Sequence, residues 1–173
     1  MQTLRILAML GVALALQTTV AWAAMGNRTV VDLVIVAVIY FALGTGPNAG
    51  IAIGTVAGIA QDVLSGGVLG VSGLANSLVG CASGVLGTQF IVSSTLARFV
   101  VFVLGTLAQA GIVIGVYSLI DPRGFGAPPT LILARALING VVGVLAFQVV
   151  ERTPQVLERR RYRRAHVRGR MLG

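Results

Sequence analysis

Five carboxylates, one cysteine and one histidine are all that the 173 residues offer for acid–base, nucleophilic or metal chemistry. Cys81 lies in a glycine-rich apolar stretch with no histidine near it in sequence, which suits a small buried hydrophobe better than a nucleophile. His166 stands among arginines, where a solvated surface side chain is expected. Single copies exclude an internal disulfide and the Cys/His clusters of structural zinc. The glycine-rich region also lacks the Gly-Lys-Ser/Thr end that holds phosphate and Mg²⁺. The sequence therefore points away from an enzyme acting on a small substrate, with no catalytic residue, metal or cofactor expected. Of the carboxylates, Asp32 and Asp62 fall near the ends of apolar segments, too far from mid-span for the relay that a proton-coupled carrier needs. Asp62 has two readings: a costly boundary carboxylate is by default functional, or it caps a helix end by bonding the Ser65-Gly66-Gly67 loop that follows.

The elements that must position these groups are membrane spans. Hydrophobic residues make up 56% of the chain and charged ones 10%, against about 25% in a soluble domain. Mean hydropathy is +0.93. Apolar runs cover Ile6 to Ala24, Val30 to Leu43, Ala49 to Ala60, Val68 to Val92, Leu96 to Ile120 and Leu131 to Val150. Breaks fall at Gly44-Thr45-Gly46-Pro47-Asn48, Ser65-Gly66-Gly67, Ser93-Ser94-Thr95 and Asp121-Pro122-Arg123-Gly124, with Pro47 suited to a first helical turn. The expected fold is all-α: a polytopic bundle of about six transmembrane helices over residues 1–150, followed by an Arg-rich tail over 151–173. The second and third spans are short enough to form a tilted pair or a partly re-entrant hairpin. Residues 1–24 also resemble a signal peptide, with Ala21-Trp22-Ala23 as the cleavage site. Because more lipid-soluble sequence follows, a retained first span is the better reading.

Orientation follows the arginines, which supply all 13 basic residues. With both termini in the cytoplasm, Arg5, Arg98 and the eight arginines from Arg152 to Arg170 lie inside, against Arg28 and Arg123 outside. An even number of spans agrees with that arrangement. In the tail, Arg159, Arg160, Arg161, Arg163 and Arg164 suit anionic lipid at the membrane surface. Nucleic acid is the weaker reading, since Tyr162 is the one interleaved aromatic.

Glycine is the most specific feature. Twelve of the 44 residues from Gly44 to Gly87 are glycine, and Gly50, Gly54 and Gly58 repeat every four residues along one helical face. Gly66/Gly70, Gly80/Gly84 and Gly111/Gly115 have the same spacing. In lipid, small residues permit close backbone approach and good van der Waals packing. Packing inside the chain is the plainer use of such a face, and a groove for a partner is the other.

The stretch Gly54-Thr-Val-Ala-Gly58-Ile-Ala-Gln-Asp62-Val-Leu-Ser-Gly66-Gly67-Val-Leu-Gly70-Val-Ser-Gly73-Leu74, continuing to Leu78-Val79-Gly80, resembles the MreD family of rod-shape-determining proteins. Gly58, Asp62, Gly66, Gly67, Leu69, Gly70, Leu74 and Gly80 occupy the positions of the family's signature, and Ile59 stands where Leu is usual. The specific resemblance covers roughly residues 54–87. It implies a non-enzymatic, multi-pass protein of the bacterial inner membrane that partners an MreC-like bitopic protein in the elongation complex. MreB, RodA and a penicillin-binding transpeptidase of peptidoglycan synthesis would be indirect partners. The family is similar in fold to the substrate-binding subunits of energy-coupling-factor transporters, which supplies the alternative of a vitamin-type binding subunit. With one Trp and three Tyr, the chain is poorly equipped for such a pocket.

The six-span topology puts Asp62, at the end of the third span, at a depth similar to that of Arg135, near the start of the sixth. Asn139 is one turn further on. An interhelical polar cluster of Asp62, Arg135 and Asn139 is one expectation. The other is that Arg135 snorkels to the headgroups while Asp62 caps its own loop.

Overall fold

The computed structural model describes residues 31–89, 94–120 and 128–169, and these are helical throughout apart from their connections. Five helices follow one another: α1 (Leu33–Thr45), α2 (Pro47–Ser65), α3 (Val71–Gln89), α4 (Thr95–Ile120) and α5 (Pro129–Gly169). Val71–Gln89, Thr95–Ile120 and Pro129–Val149 are long and apolar enough to cross a membrane, and Leu33–Thr45 is a shorter apolar helix. The second to sixth expected spans thus each coincide with a helix, whereas the first, Ile6 to Ala24, lies outside the described residues. At the C-terminal end the helical backbone of α5 runs past residue 150. The boundary between bundle and tail is therefore a change of composition.

α1 is the post around which the others stand, packing against α2, α3, α4 and α5. Val34, Ile35, Val36, Val38, Ile39, Phe41 and Ala42 are all buried, and a stripe of Leu33, Ala37, Tyr40 and Gly44 is at least partly exposed. A helix apolar all round is stable only where neighbours or lipid cover every side, and here neighbours cover most of the circumference. Its 13 residues reach only about 20 Å at 1.5 Å per residue. It stops where Gly46, at φ 91°, turns the chain into Pro47, the first residue of α2. Proline fits that position because its missing N–H would have no partner in a first turn.

The two hairpins are packed differently. α2 and α3 run antiparallel with backbone against backbone: Gly50 faces Gly80, Gly54 faces Asn76, and Gly58 faces Ser72 and Gly73. α4 and α5 instead interleave large residues with small ones, the Phe102 ring lying over Gly143 and the Phe99 ring over Gly140. Phe102 is fully buried and joins Ile35, Ile39 and Val79 in the central core. Tyr40 of α1 meets Phe147 of α5 edge-on at 4.6 Å, and the Arg98 guanidinium lies 4.3 Å from the centre of the same ring. Cation–π contact of this kind keeps an arginine favourable against an aromatic end of the bundle.

Candidate functional site

Two polar constructions stand out from the apolar bundle. The first is the turn between α2 and α3. Asp62, one turn before the end of α2, is buried. Its Oδ2 accepts from the backbone N–H of Gly70 at 2.8 Å and of Ser72 at 3.1 Å, and its Oδ1 lies 3.3 Å from the latter. These donors belong to the start of α3, where a helix leaves N–H groups without internal partners and where its dipole favours negative charge. Asp62 thus caps the next helix across the turn. The backbone between them bends through Gly66 and Gly70, at φ 66° and 95°, which side chains rarely tolerate. Gly66 and Gly67 return their N–H groups to the Asp62 carbonyl. On the other side, Val68 donates its N–H to the Tyr117 hydroxyl at the end of α4, 3.0 Å away. The turn is therefore fastened from both flanks while presenting Leu69, which is 70% exposed.

The predicted cluster of Asp62, Arg135 and Asn139 is not formed. Asp62 spends its carboxylate on Gly70 and Ser72, a few residues along its own chain, and those charge-assisted bonds leave no oxygen directed at α5. Arg135 is half-buried on α5. Asn139 is fully buried and turns toward Asp32 and Thr106.

Asn139 belongs to the second construction, centred on the N-terminus of α1. Asp32 is 3% exposed and caps α1, its Oδ1 accepting from the N–H groups of Val34 and Ile35. Its Oδ2 accepts from the side-chain amides of Gln61 on α2 at 3.2 Å and Gln109 on α4 at 3.4 Å. Its own N–H donates to Asn139 Oδ1 on α5, and Asn139 Nδ2 donates to the Thr106 hydroxyl. Gln61 Oε1 in turn accepts from Asn76 on α3. All five helices meet in this one network. Thr106 and Gln109 flank the midpoint of α4, and Asn139 is the middle residue of Pro129–Val149. Asp32 is at the end of its own helix, yet that end is level with the middle of two long ones. The sequence signal for this site was the set of amides inside apolar spans, Asn76, Gln109 and Asn139, a residue type that bonds between helices in lipid.

The glycines of the sequence motif divide between two tasks. Gly50, Gly54, Gly58 and Gly80 form the α2–α3 seam, where a side chain on any of them would collide with the opposing backbone. Gly66, Gly67 and Gly70 shape the turn, and a Cβ at Gly67 would press on the Tyr117 hydroxyl at 3.0 Å. Among the described residues, Gly111 and Gly115 have nothing within 4 Å of where a Cβ would be, so that pair serves no seam between the described helices. Between α3 and α4 an apolar groove of about 330 Å³ is lined by residues such as Leu78, Leu86, Leu104 and Ile112, with Ser83 its one polar side chain. The side chains of Arg159, Arg160, Arg161, Arg163 and Arg164 lie outside the described residues. Among the described residues, no group of three His, Cys, Asp or Glu side chains is placed to hold a metal ion.

No curated protein and no solved structure matches the chain. A family model does: the one described as rod shape-determining protein MreD matches residues 1–152, which takes in all six apolar runs of the sequence and the Gly58–Asp62–Gly70 turn. The chain therefore belongs to the MreD family of rod shape-determining proteins.

Proposed function

We propose that this chain is a non-enzymatic scaffold of the bacterial elongation complex, a multi-pass inner-membrane protein that binds an MreC-like bitopic partner and so supports peptidoglycan synthesis along the cell wall. The observation that carries this reading is the family match over residues 1–152. The reading includes six spans with both termini in the cytoplasm and an arginine tail resting on anionic lipid, each arginine near that surface contributing about 1 kcal/mol. MreB-like filaments, RodA and a penicillin-binding transpeptidase are reached through the partner.

The packing narrows where that partner can dock. Because Gly50, Gly54, Gly58 and Gly80 are occupied within the chain, the surface we assign to the partner is the turn between α2 and α3, which is hydrogen-bonded on both flanks and exposes Leu69. The test is affinity purification of the full chain in mild detergent, together with depletion in rod-shaped cells. Co-purification of a bitopic coiled-coil protein and cell-wall synthases, with rounding or swelling on depletion, is the expected result. Recovery of an ATPase module and a vitamin requirement at normal cell shape would instead establish the transporter-subunit alternative.

A further inference from the structure

The two long apolar helices present unlike outer faces. On α5 the exposed positions from Leu133 to Val149 are all leucine, isoleucine or valine, the side chains that lipid accommodates best. On α4 the exposed positions from Leu104 to Ser118 are Leu104, Ala108, Gly111, Gly115 and Ser118, spaced by four, three, four and three residues. That spacing makes one continuous seam on a helix. Small residues on such a face let a second helix come close in a membrane. Alongside runs the groove between α3 and α4, with Leu78 and Leu86 on one wall and Leu104 and Ala108 on the other. Ser83, only 3% exposed, lines it too. Thr45, Thr55, Thr88, Thr106 and Ser118 each turn their hydroxyl back to the carbonyl four residues earlier. The Ser83 hydroxyl makes no such bond and has no hydrogen-bond partner among the described residues. A donor unmatched beside an apolar groove calls for an acceptor, which no acyl chain carries.

We propose that the α4 seam and the α3–α4 groove together hold the single transmembrane helix of the bitopic partner. The inference rests on the scaffold reading and extends the surface assigned there from the turn into the membrane. The two surfaces are continuous: Tyr117, which accepts from Val68 of the turn, lies between Gly115 and Ser118 on α4. A partner seated on the turn and crossing the bilayer once therefore has the seam along its path. Shape selects the occupant. A trough between leucines, edged by Ala and Gly, takes a ridge of large aliphatic side chains, and a second copy presenting its own Ala108, Gly111 and Gly115 lacks one. The helix that fits carries that ridge at intervals of three and four residues. It also carries an acceptor at the depth of Ser83, about 18 Å along α3 from Val71 at 1.5 Å per residue.

The experiment places a photo-crosslinking phenylalanine analogue at Leu69, Leu104 or Leu137 of the full chain in rod-shaped cells and identifies the adducts by mass spectrometry. Leu137, on α5, is 52% exposed against 58% for Leu104. Leu69 and Leu104 are expected to label the same bitopic protein, Leu104 within its apolar span, and Leu137 should not label it. Gly111→Leu should lower the Leu104 adduct about tenfold or more, and Ser83→Ala about fivefold. The Tm of the purified Gly111→Leu chain should stay unchanged, because a Cβ there meets nothing among the described residues. A bitopic adduct at Leu69 but not at Leu104 overturns this inference and leaves the scaffold reading standing. No bitopic adduct at either position overturns both. An adduct of two copies or of lipid alone at Leu104, equal labelling from Leu104 and Leu137, or an undiminished adduct with Gly111→Leu also overturns it.

Discussion

Replacing Gly54 by alanine adds one methyl group at the tightest point of the α2–α3 seam. An ideal Cβ there would lie 2.5 Å from the carbonyl carbon of Asn76 and 2.8 Å from the Cα of Ser77, with the Asn76 carbonyl oxygen nearer still. All three atoms are backbone, so no change of rotamer makes room. The helices must separate by about 1 Å, and a gap of that size forfeits up to half of each contact's dispersion well. Because Gly50 and Gly58 meet the same partner helix one turn to either side, the loss spreads along the seam. Overpacking a core costs about 1–3 kcal/mol, and a rigid obstacle on both sides places Gly54→Ala at the upper end, about 2–3 kcal/mol. The comparison is Gly111→Ala, where a Cβ would meet nothing within 4 Å among the described residues. There the better helix propensity of alanine, about 1 kcal/mol, acts unopposed. Reversible unfolding in mixed micelles or nanodiscs should therefore show a Tm fall of roughly 4–10 °C for the first variant and none for the second. Equal effects from the two substitutions would refute the argument that this seam lacks space for a side chain.

Three further outcomes are expected. Asp62→Ala leaves the N–H groups of Gly70 and Ser72 without their acceptor; it should cost about 1–3 kcal/mol and speed amide exchange at those residues while α4 and α5 stay protected. Asp62→Arg and Arg135→Asp should each impair recovery of the partner, and the double variant should be no better than the worse single one; restoration would mean that the two side chains meet after all. A reporter fused at residue 173 should read as cytoplasmic, and an external reading would sink the six-span arrangement.

Helix positions were legible because lipid removes most of the ambiguity of a sequence. Apolar length and the breaks at Pro47, Ser65 to Gly67 and Thr95 placed the ends of the described helices to within about five residues, apart from the C-terminal end of α5, which continues past residue 150 to Gly169. The glycine face was legible too, since a spacing of four admits only one geometry on a helix. What spacing could not supply was the azimuth of each helix. α1 is apolar on every side, and in a membrane protein that pattern does not distinguish a lipid-bathed helix from a central one. For the same reason Asp32 read as a boundary residue, although the end it caps is surrounded by four helices. Asp62 was placed correctly along α2, but its partners lie on its own turn, eight and ten residues away, where a single N–H bond outcompetes a distant arginine.

The α2–α3 seam has a bearing on how the molecule assembles. Most helix pairs freeze side-chain rotamers when they dock, at up to about 2 kcal/mol for a long side chain. Gly50, Gly54, Gly58 and Gly80 have no rotamers to lose, and each helix has already fixed its backbone on entering the bilayer. Docking these two helices is therefore close to free of ordering entropy and gains its contact at once. The hairpin should close early, as the unit on which α1 later finds its place, and it should be the last part of the bundle to come apart. Amide protons along α2 and α3 should then outlast those of α4 in exchange, although α4 is the more apolar helix.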